Sequence, residues 1–281
     1  MYKFLNEDDC EKIIKMFNEG VNRNYLSKEF GVSHGTISNI IKRNLRPREK
    51  GNRKYFVDEE YFSIIDTEDK AYWLGFLYAD GYVLEKNNTL IAGLTLKDLD
   101  HIEKFKYDIK STHLIKNATT KNNYQFNIYN NNFTKHLVNQ GCIPRKSFKI
   151  EFPKLKDTLE NHFIRGYFDG DGSVSATDKT LQLTICCASE KFLFDLVEKM
   201  KINVNLKRYK IYKRKDGLLI YVNSSGEDIL NIRKYLYKNS TTFLGRKKEV
   251  FDYIDSNILE IKKRIGKYSW QRRKKRDLSK V

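Results

Sequence analysis

A chain of 281 residues, 40% hydrophobic and 13% aromatic, has room for one large domain with a small companion and enough apolar side chains for a core. Its formal net charge of +17 calls for a polyanionic partner. The four cysteines (Cys10, Cys142, Cys186, Cys187) form no C-x-x-C pair, the five histidines (His34, His101, His113, His136, His162) have no ligand spacing, and no apolar run reaches bilayer length, which excludes a zinc cluster, a disulfide framework and a membrane span.

Asn6 or Asp8 can cap a first helix that runs through Asn18 and ends at Gly20, and a second short helix is expected over about Tyr25 to Phe30. Gly31-Val32-Ser33 is a turn, and Thr36 to Arg43 follows as a third helix with Ile37, Ile40 and Ile41 on one side. Leu26 to Ser38 resembles the helix-turn-helix of resolvase-type and regulator DNA-binding domains. The resemblance implies that the helix after the turn enters the major groove and offers Ser33, His34, Thr36, Ser38, Asn39 and Lys42 to bases and phosphates. Residues 1–46 are therefore expected to be an all-α DNA-binding domain, and 47–60 a linker. From Lys42 to Lys54 there are seven basic residues, among them Arg43, Arg46 and Arg48, against one acid, and these are expected to follow phosphates.

Thr67 is placed to cap the next helix, with Glu68 and Asp69 suited to its positive end. That helix carries Trp73-Leu74-Gly75-Phe76-Leu77-Tyr78-Ala79-Asp80-Gly81, and the pattern returns as Ile164-Arg165-Gly166-Tyr167-Phe168-Asp169-Gly170-Asp171-Gly172. Small residues four apart, Gly75 with Ala79 and Gly166 with Gly170, share a helix face, so two such faces let backbones approach and bring Asp80 and Asp171 together. Two carboxylates so placed repel and call for a cation.

After Gly81 the order is strand, strand, helix, strand, strand, helix, and the series restarts near Asn161. Period two puts Tyr124, Phe126 and Ile128 on one face and Asn123, Gln125, Asn127 and Tyr129 on the other. Arg208, Lys210, Tyr212 and Arg214 make a second polar face, and Gln182 with Thr184 a third; side chains of these types read base edges and phosphates. Lys262 to Val281 holds ten basic residues against Asp277, so the two charge-rich stretches carry most of the net charge. Residues 266–281 read as a basic tail.

The two nine-residue stretches resemble the LAGLIDADG motif of homing endonucleases in its two-repeat, single-chain form, the second copy more closely. Gly141-Cys142-Ile143-Pro144-Arg145-Lys146-Ser147 resembles the segment that closes a first repeat, and Leu236 to Ser240 with Phe243-Leu244-Gly245-Arg246-Lys247 the one that closes a second. The resemblance implies an α+β core of two pseudo-symmetric αββαββα repeats, 61–158 and 159–265, forming a DNA-binding saddle. It also implies a site-specific endonuclease in which Asp80 and Asp171 each bind Mg²⁺, with Mn²⁺ able to substitute, aided by the carbonyls of Ala79 and Gly170. Family members carry a basic residue near each metal; rough alignment puts Tyr129 and Asn223 there, neither basic, and Lys97 is the substitute in the first half.

The expected partner is double-stranded DNA, with no membrane, and the chain is expected to be a monomer. With no signal peptide, it is expected to be intracellular (cytoplasmic, organellar or phage-encoded) and not secreted. The chain starts at Met1 and lacks a terminal His-Asn, so an intein origin is not expected. Two alternatives share these features: a non-catalytic transcriptional regulator on a LAGLIDADG core, and an intron maturase whose partner is RNA.

Overall fold

The computed structural model describes residues 5–19, 21–45, 55–86, 89–119 and 122–278. The chain divides into two compact units, Met1–Lys54 and Tyr55–Val281.

The first unit holds three helices, α1 (Glu7–Asn18), α2 (Arg23–Phe30) and α3 (His34–Leu45). Asn6 is the cap of α1: its side chain accepts from Asp9 N at 2.8 Å while Asp9 accepts from Asn6 N. Asn22 caps α2, which is why that helix starts two residues before Tyr25, and Gly31 ends it in the left-handed conformation at φ 67°. Ser33 accepts from Thr36 N at 3.1 Å and so starts α3 at His34 rather than Thr36. Ile13, Leu26, Phe30, Ile37 and Ile41 form the core of this unit.

The second unit repeats one plan twice. α4 (Glu68–Ala79), β1 (Gly81–Lys86), β2 (Thr89–Leu96), α5 (Leu99–Asp108), β3 (Ile115–Asn117), β4 (Tyr124–Tyr129) and α6 (Asn131–Asn139) make the first copy. α7 (Asp157–Asp171), β5 (Gly172–Ala176), β6 (Leu181–Cys187), α8 (Glu190–Val204), β7 (Lys210–Lys213), β8 (Leu219–Asn223) and α9 (Gly226–Tyr237) make the second. This is the expected α+β fold of two αββαββα repeats. The antiparallel sheets have matching orders, β1-β2-β4-β3 and β5-β6-β8-β7. Alternation gives each sheet one buried face: Phe126 and Ile128 on β4, and Leu181, Leu183, Ile185 and Cys187 on β6, lie in the core, while their neighbours in the chain do not.

Three further features differ from the sequence reading. Residues 55–60 belong to the second unit, not to a linker, because Val57 is buried in its core and Asp58 N donates to Ile109 O. Thr67 stands at the cap position of α4 without a side-chain cap bond. Glu68 reaches the second repeat instead, where it accepts from Arg165, from the Thr241 hydroxyl and, at 3.1 Å, from Thr242 N. The segment from residue 266 is not separate: it continues α10 (Gly245–Leu278), a 34-residue helix buried along its first half through Phe251, Ile254 and Ile261.

Candidate metal centre and nucleic-acid interface

α4 and α7 lie against each other through their glycines. A β-carbon built on Gly75 would overlap the Phe163 carbonyl and come within 2.9 Å of Tyr167 N; one on Gly166 would overlap the Tyr72 carbonyl and come within 2.8 Å of Phe76 N. Farther along, Gly170 sits against the Ala79 side chain. All four expected interface residues, Gly75, Ala79, Gly166 and Gly170, therefore lie at the helix crossing.

The crossing delivers both motif aspartates to one place. Gly170 lies directly before Asp171, and a β-carbon on it would stand 3.3 Å from Asp80 Oδ2. Loss of water, and then the field of Asp171, push the Asp80 carboxyl up to about 6. Asp171 is also held above the usual carboxylate range, chiefly by loss of water, although the residue as a whole keeps more solvent than the half-buried Asp80. Lys146, Lys247 and Arg246 act in the opposite sense on Asp80.

The sequence does not single out these two lysines. Lys146 donates to the carbonyls of Tyr78 and, at 2.7 Å, Ala79. Lys247 donates to the corresponding carbonyls of the other helix, Asp169 at 2.6 Å and Gly170 at 3.3 Å, and also to Phe168 and Gly172. Each ammonium thus closes the negative end of a motif helix next to its aspartate. Burial pulls Lys247 down to about 8, with Asp169, Asp80 and Asp171 acting against the shift. The signal that could have found the pair is the Arg-Lys dipeptide, 145–146 and 246–247, in both closing segments.

Lys97 does not hydrogen-bond to either motif helix; it is exposed just beyond β2. Nor do the aligned positions: Tyr129 is 52% exposed on β4, and Asn223 is buried, donating to Asp228 at 3.0 Å and accepting from Ser225 N.

Two carboxylates with the nearby Ala79 and Gly170 carbonyls are hard oxygen donors of the kind that suit a divalent cation keeping some of its own waters. Burial, and after it the field of Asp171, raises Asp80, and such a cation would relieve both. Each carbonyl also receives a lysine, which leaves one lone pair for a metal. Among the described residues, no group of three or more His, Cys, Asp or Glu side chains could hold an ion, so the donor set is limited to this pair and the backbone.

The outer faces of the two sheets carry the expected polar residues. Gln125 and Asn127 are half-buried on β4, with Asn123 just before it; Gln182 and Thr184 are half-buried on β6. Lys210 and Tyr212 lie exposed on β7. Arg208 and Arg214 are also exposed but flank that strand rather than belong to it, and Arg214 pairs with Asp216 at 2.8 Å.

In the first unit, His34, Thr36 and Asn39 are exposed on α3 and Ser38 is half-buried. The Ser33 and Thr36 hydroxyls bond to each other at 2.9 Å, so the cap of the helix already engages them. The side chains of Lys42 and Arg43, and residues Arg46 and Arg48, lie outside the described residues. Among the described residues, no helix is long and apolar enough to cross a membrane.

Residues 158–237, the second repeat, match the family described as a LAGLIDADG-like domain. Several solved structures are similar. The meganuclease I-SmaMI bound to uncleavable DNA is 16% identical, with 70% of this chain and 96% of that one covered and a TM-score of 0.49. The I-SmaMI LAGLIDADG homing endonuclease bound to cleaved DNA is 14% identical, with coverage of 72% and 96% and a TM-score of 0.49. Full-length DUF199/WhiA from Thermatoga maritima is 18% identical, with coverage of 71% and 64% and a TM-score of 0.45. No curated protein matches the chain.

Proposed function

We propose, on the premise that residues 158–237 carry a LAGLIDADG-like domain, that this protein is a site-specific DNA endonuclease dependent on Mg²⁺, with Mn²⁺ able to replace it, that hydrolyses one phosphodiester in each strand of a duplex. The observation that carries this reading is the convergence of Asp80 and Asp171 at the crossing of two glycine-faced helices, each helix end closed by a lysine.

When bound, a divalent cation supplies charge stabilisation at the phosphate and makes water a better nucleophile. The carboxylates of Asp80 and Asp171 hold it. Lys146 and Lys247 anchor the two helix ends, and their charge partly offsets the carboxylate repulsion, so the pair stays in place between turnovers. The polar outer faces of the sheets bind the duplex, and α3 of the first unit adds a contact at one flank of the target.

The test is to incubate the full chain with random-sequence DNA and Mg²⁺ and to sequence the cut ends, beside Asp80→Asn and Asp171→Asn. The native chain should cut both strands at one recurring sequence. Each variant should lose double-strand cleavage by at least about a hundredfold while binding is kept, since a cation ligand goes but phosphate contacts remain. Full cleavage by either variant sinks the two-aspartate mechanism; sequence-specific binding with no cleavage by the native chain replaces the enzyme with a regulator, and preference for structured RNA with a maturase.

A further inference from the structure

On the outer face of the first sheet, Tyr82 of β1, Gly93 of β2 and Asn127 of β4 stand opposite one another in a single row. A side chain on the middle strand would separate the other two: a β-carbon built on Gly93 would lie 2.7 Å from the Tyr82 phenol oxygen and would overlap Asn127 Oδ1. With glycine there, the tyrosine crosses β2. Its hydroxyl donates to Asn127 Oδ1 and accepts from Gln125 Nε2 at 3.0 Å.

A phenol carries one proton, so it can donate to only one of the two amides and must accept from the other. The two amides are thereby held in opposite senses. Asn127 presents its N–H donors and Gln125 its carbonyl acceptor, both half-buried on a face otherwise open to a ligand. An unrestrained Asn or Gln turns its amide either way and pairs with either kind of base edge; one clamped by a neighbour cannot.

We propose that Tyr82 is a positioning residue for base reading: it fixes Gln125 as an acceptor, for a base that bears an exocyclic amino group (adenine or cytosine), and Asn127 as a donor, for purine N7 or for the oxygens of guanine and thymine. The inference rests on duplex DNA lying against this face, as in the function proposed above. The second sheet has no such device, since its matching row is Ser173, Thr184 and Val222. Discrimination of this kind therefore belongs to one half of the target only.

The experiment is selection of bound duplexes from a randomised library with the full chain and Ca²⁺, for the native protein, Tyr82→Phe, Asn127→Asp and the double variant Gln125→Ala/Asn127→Ala, with thermal melting of each. The native chain should show two neighbouring positions with the stated preferences. Tyr82→Phe keeps the ring, should melt like the native chain, and should lower discrimination at those two positions about five- to tenfold, the factor that corresponds to about 1 kcal/mol, with other positions unchanged. Asn127→Asp, which cannot donate, should move its position toward bases that bear an amino group. If the double variant loses the preference and Tyr82→Phe keeps it, the tyrosine positions nothing and the inference falls. If no variant changes the preference, this face does not read bases. If the native chain selects no sequence, this inference and the endonuclease reading fall together.

Discussion

At the end of α4 the residue two before the aspartate is Tyr78, and at the end of α7 it is Asp169; the two halves hold their lysines differently because of it. Tyr78 is neutral and donates to the Gln140 carbonyl at 2.7 Å. Asp169 is buried, accepts from Tyr72 and from Leu244 N at 2.8 Å each, and is held up at about 6 by that burial. A buried carboxylate gives the second half a charge that favours a buried ammonium, and Lys247 is 7% exposed and donates to four carbonyls. Lys146, without such a partner, is half-buried and donates to two. One backbone plan thus carries a tightly enclosed lysine in one half, and in the other a more open lysine beside a sheet face that holds the Tyr82 clamp. The shared plan fixes where the helices end; the side chains added at those ends decide how far each lysine is enclosed.

The largest expected effect follows from that contrast. Lys247→Met should reduce cleavage by about 10²–10³-fold, because it removes a charge from a site with little water and leaves four carbonyls without their donor. Lys146→Met should cost about tenfold less, since solvent can partly replace an ammonium that is only half-buried. Single-turnover cleavage of a plasmid target, resolved by strand, would show nicked intermediate accumulating in both variants and more of it with Lys247→Met. Equal losses would mean that burial does not set the role of the lysines.

Much of this centre is legible in the sequence alone. Two apolar runs with small residues four apart, each ending in Asp-Gly, specify a helix pair and its carboxylates, because helical period and the absence of a β-carbon are local properties. The period-two strands were legible for the same reason. Lys146 and Lys247 were not assigned, although both closing segments had been recognised, because their approach depends on how the chain returns after α6 and α9, which no local period encodes. Lys97 stands just past the end of its strand and is exposed. The Tyr82 row was hidden for a related reason: its three members lie on three strands, and only the register of pairing aligns them. Glu68 was read as a helix-end charge, and its contacts with Arg165, Thr241 and Thr242 appear only once the second repeat folds back on it.

A smaller effect tests the burial of Asp80 beside Asp171 at the helix crossing. Asp80 is held near 6 in the folded chain and titrates near its ordinary 3.8 when unfolded. Between those values the folded state keeps a proton that the unfolded state has lost, so this contribution to stability is full at low pH and is lost as pH rises through the window. Asp169 acts in the same direction. Without divalent cations, the melting temperature of the native second unit should fall more between pH 4 and 6 than that of Asp80→Asn, by about 2–4 °C. Added Mg²⁺ at pH 7 should raise the native melting temperature and leave Asp80→Asn nearly unchanged. Parallel pH curves for the two proteins would show that Asp80 is not held above its ordinary range in the folded chain.

The smallest expected effect concerns α10, which belongs to the second repeat's side; after α6 the matching place holds only a short helical turn, Lys146–Phe148. Its first half is fixed in the core by Phe251, Ile254 and Ile261, while farther along Arg264 pairs with Asp178 at 3.0 Å and Lys179 lies over the Tyr268 ring, so the helix is tied to the β5–β6 turn. Past those ties the sequence places Arg272, Arg273, Lys274, Lys275, Arg276 and Lys280 against Asp277 alone. About half of such a run of charges is expected to contact a duplex at once. Each phosphate contact contributes about −0.9 to the slope of log K against log salt, and deleting Trp270 to Val281 should therefore make the slope shallower by about 2 to 3 without changing which sequence is preferred. Titrations of a fixed target duplex across a range of salt concentrations would measure it. An unchanged slope would assign these charges to solvent and leave the difference between the repeats confined to the lysine sites and the Tyr82 row. A changed sequence preference would mean that this helix reaches bases as well as phosphates.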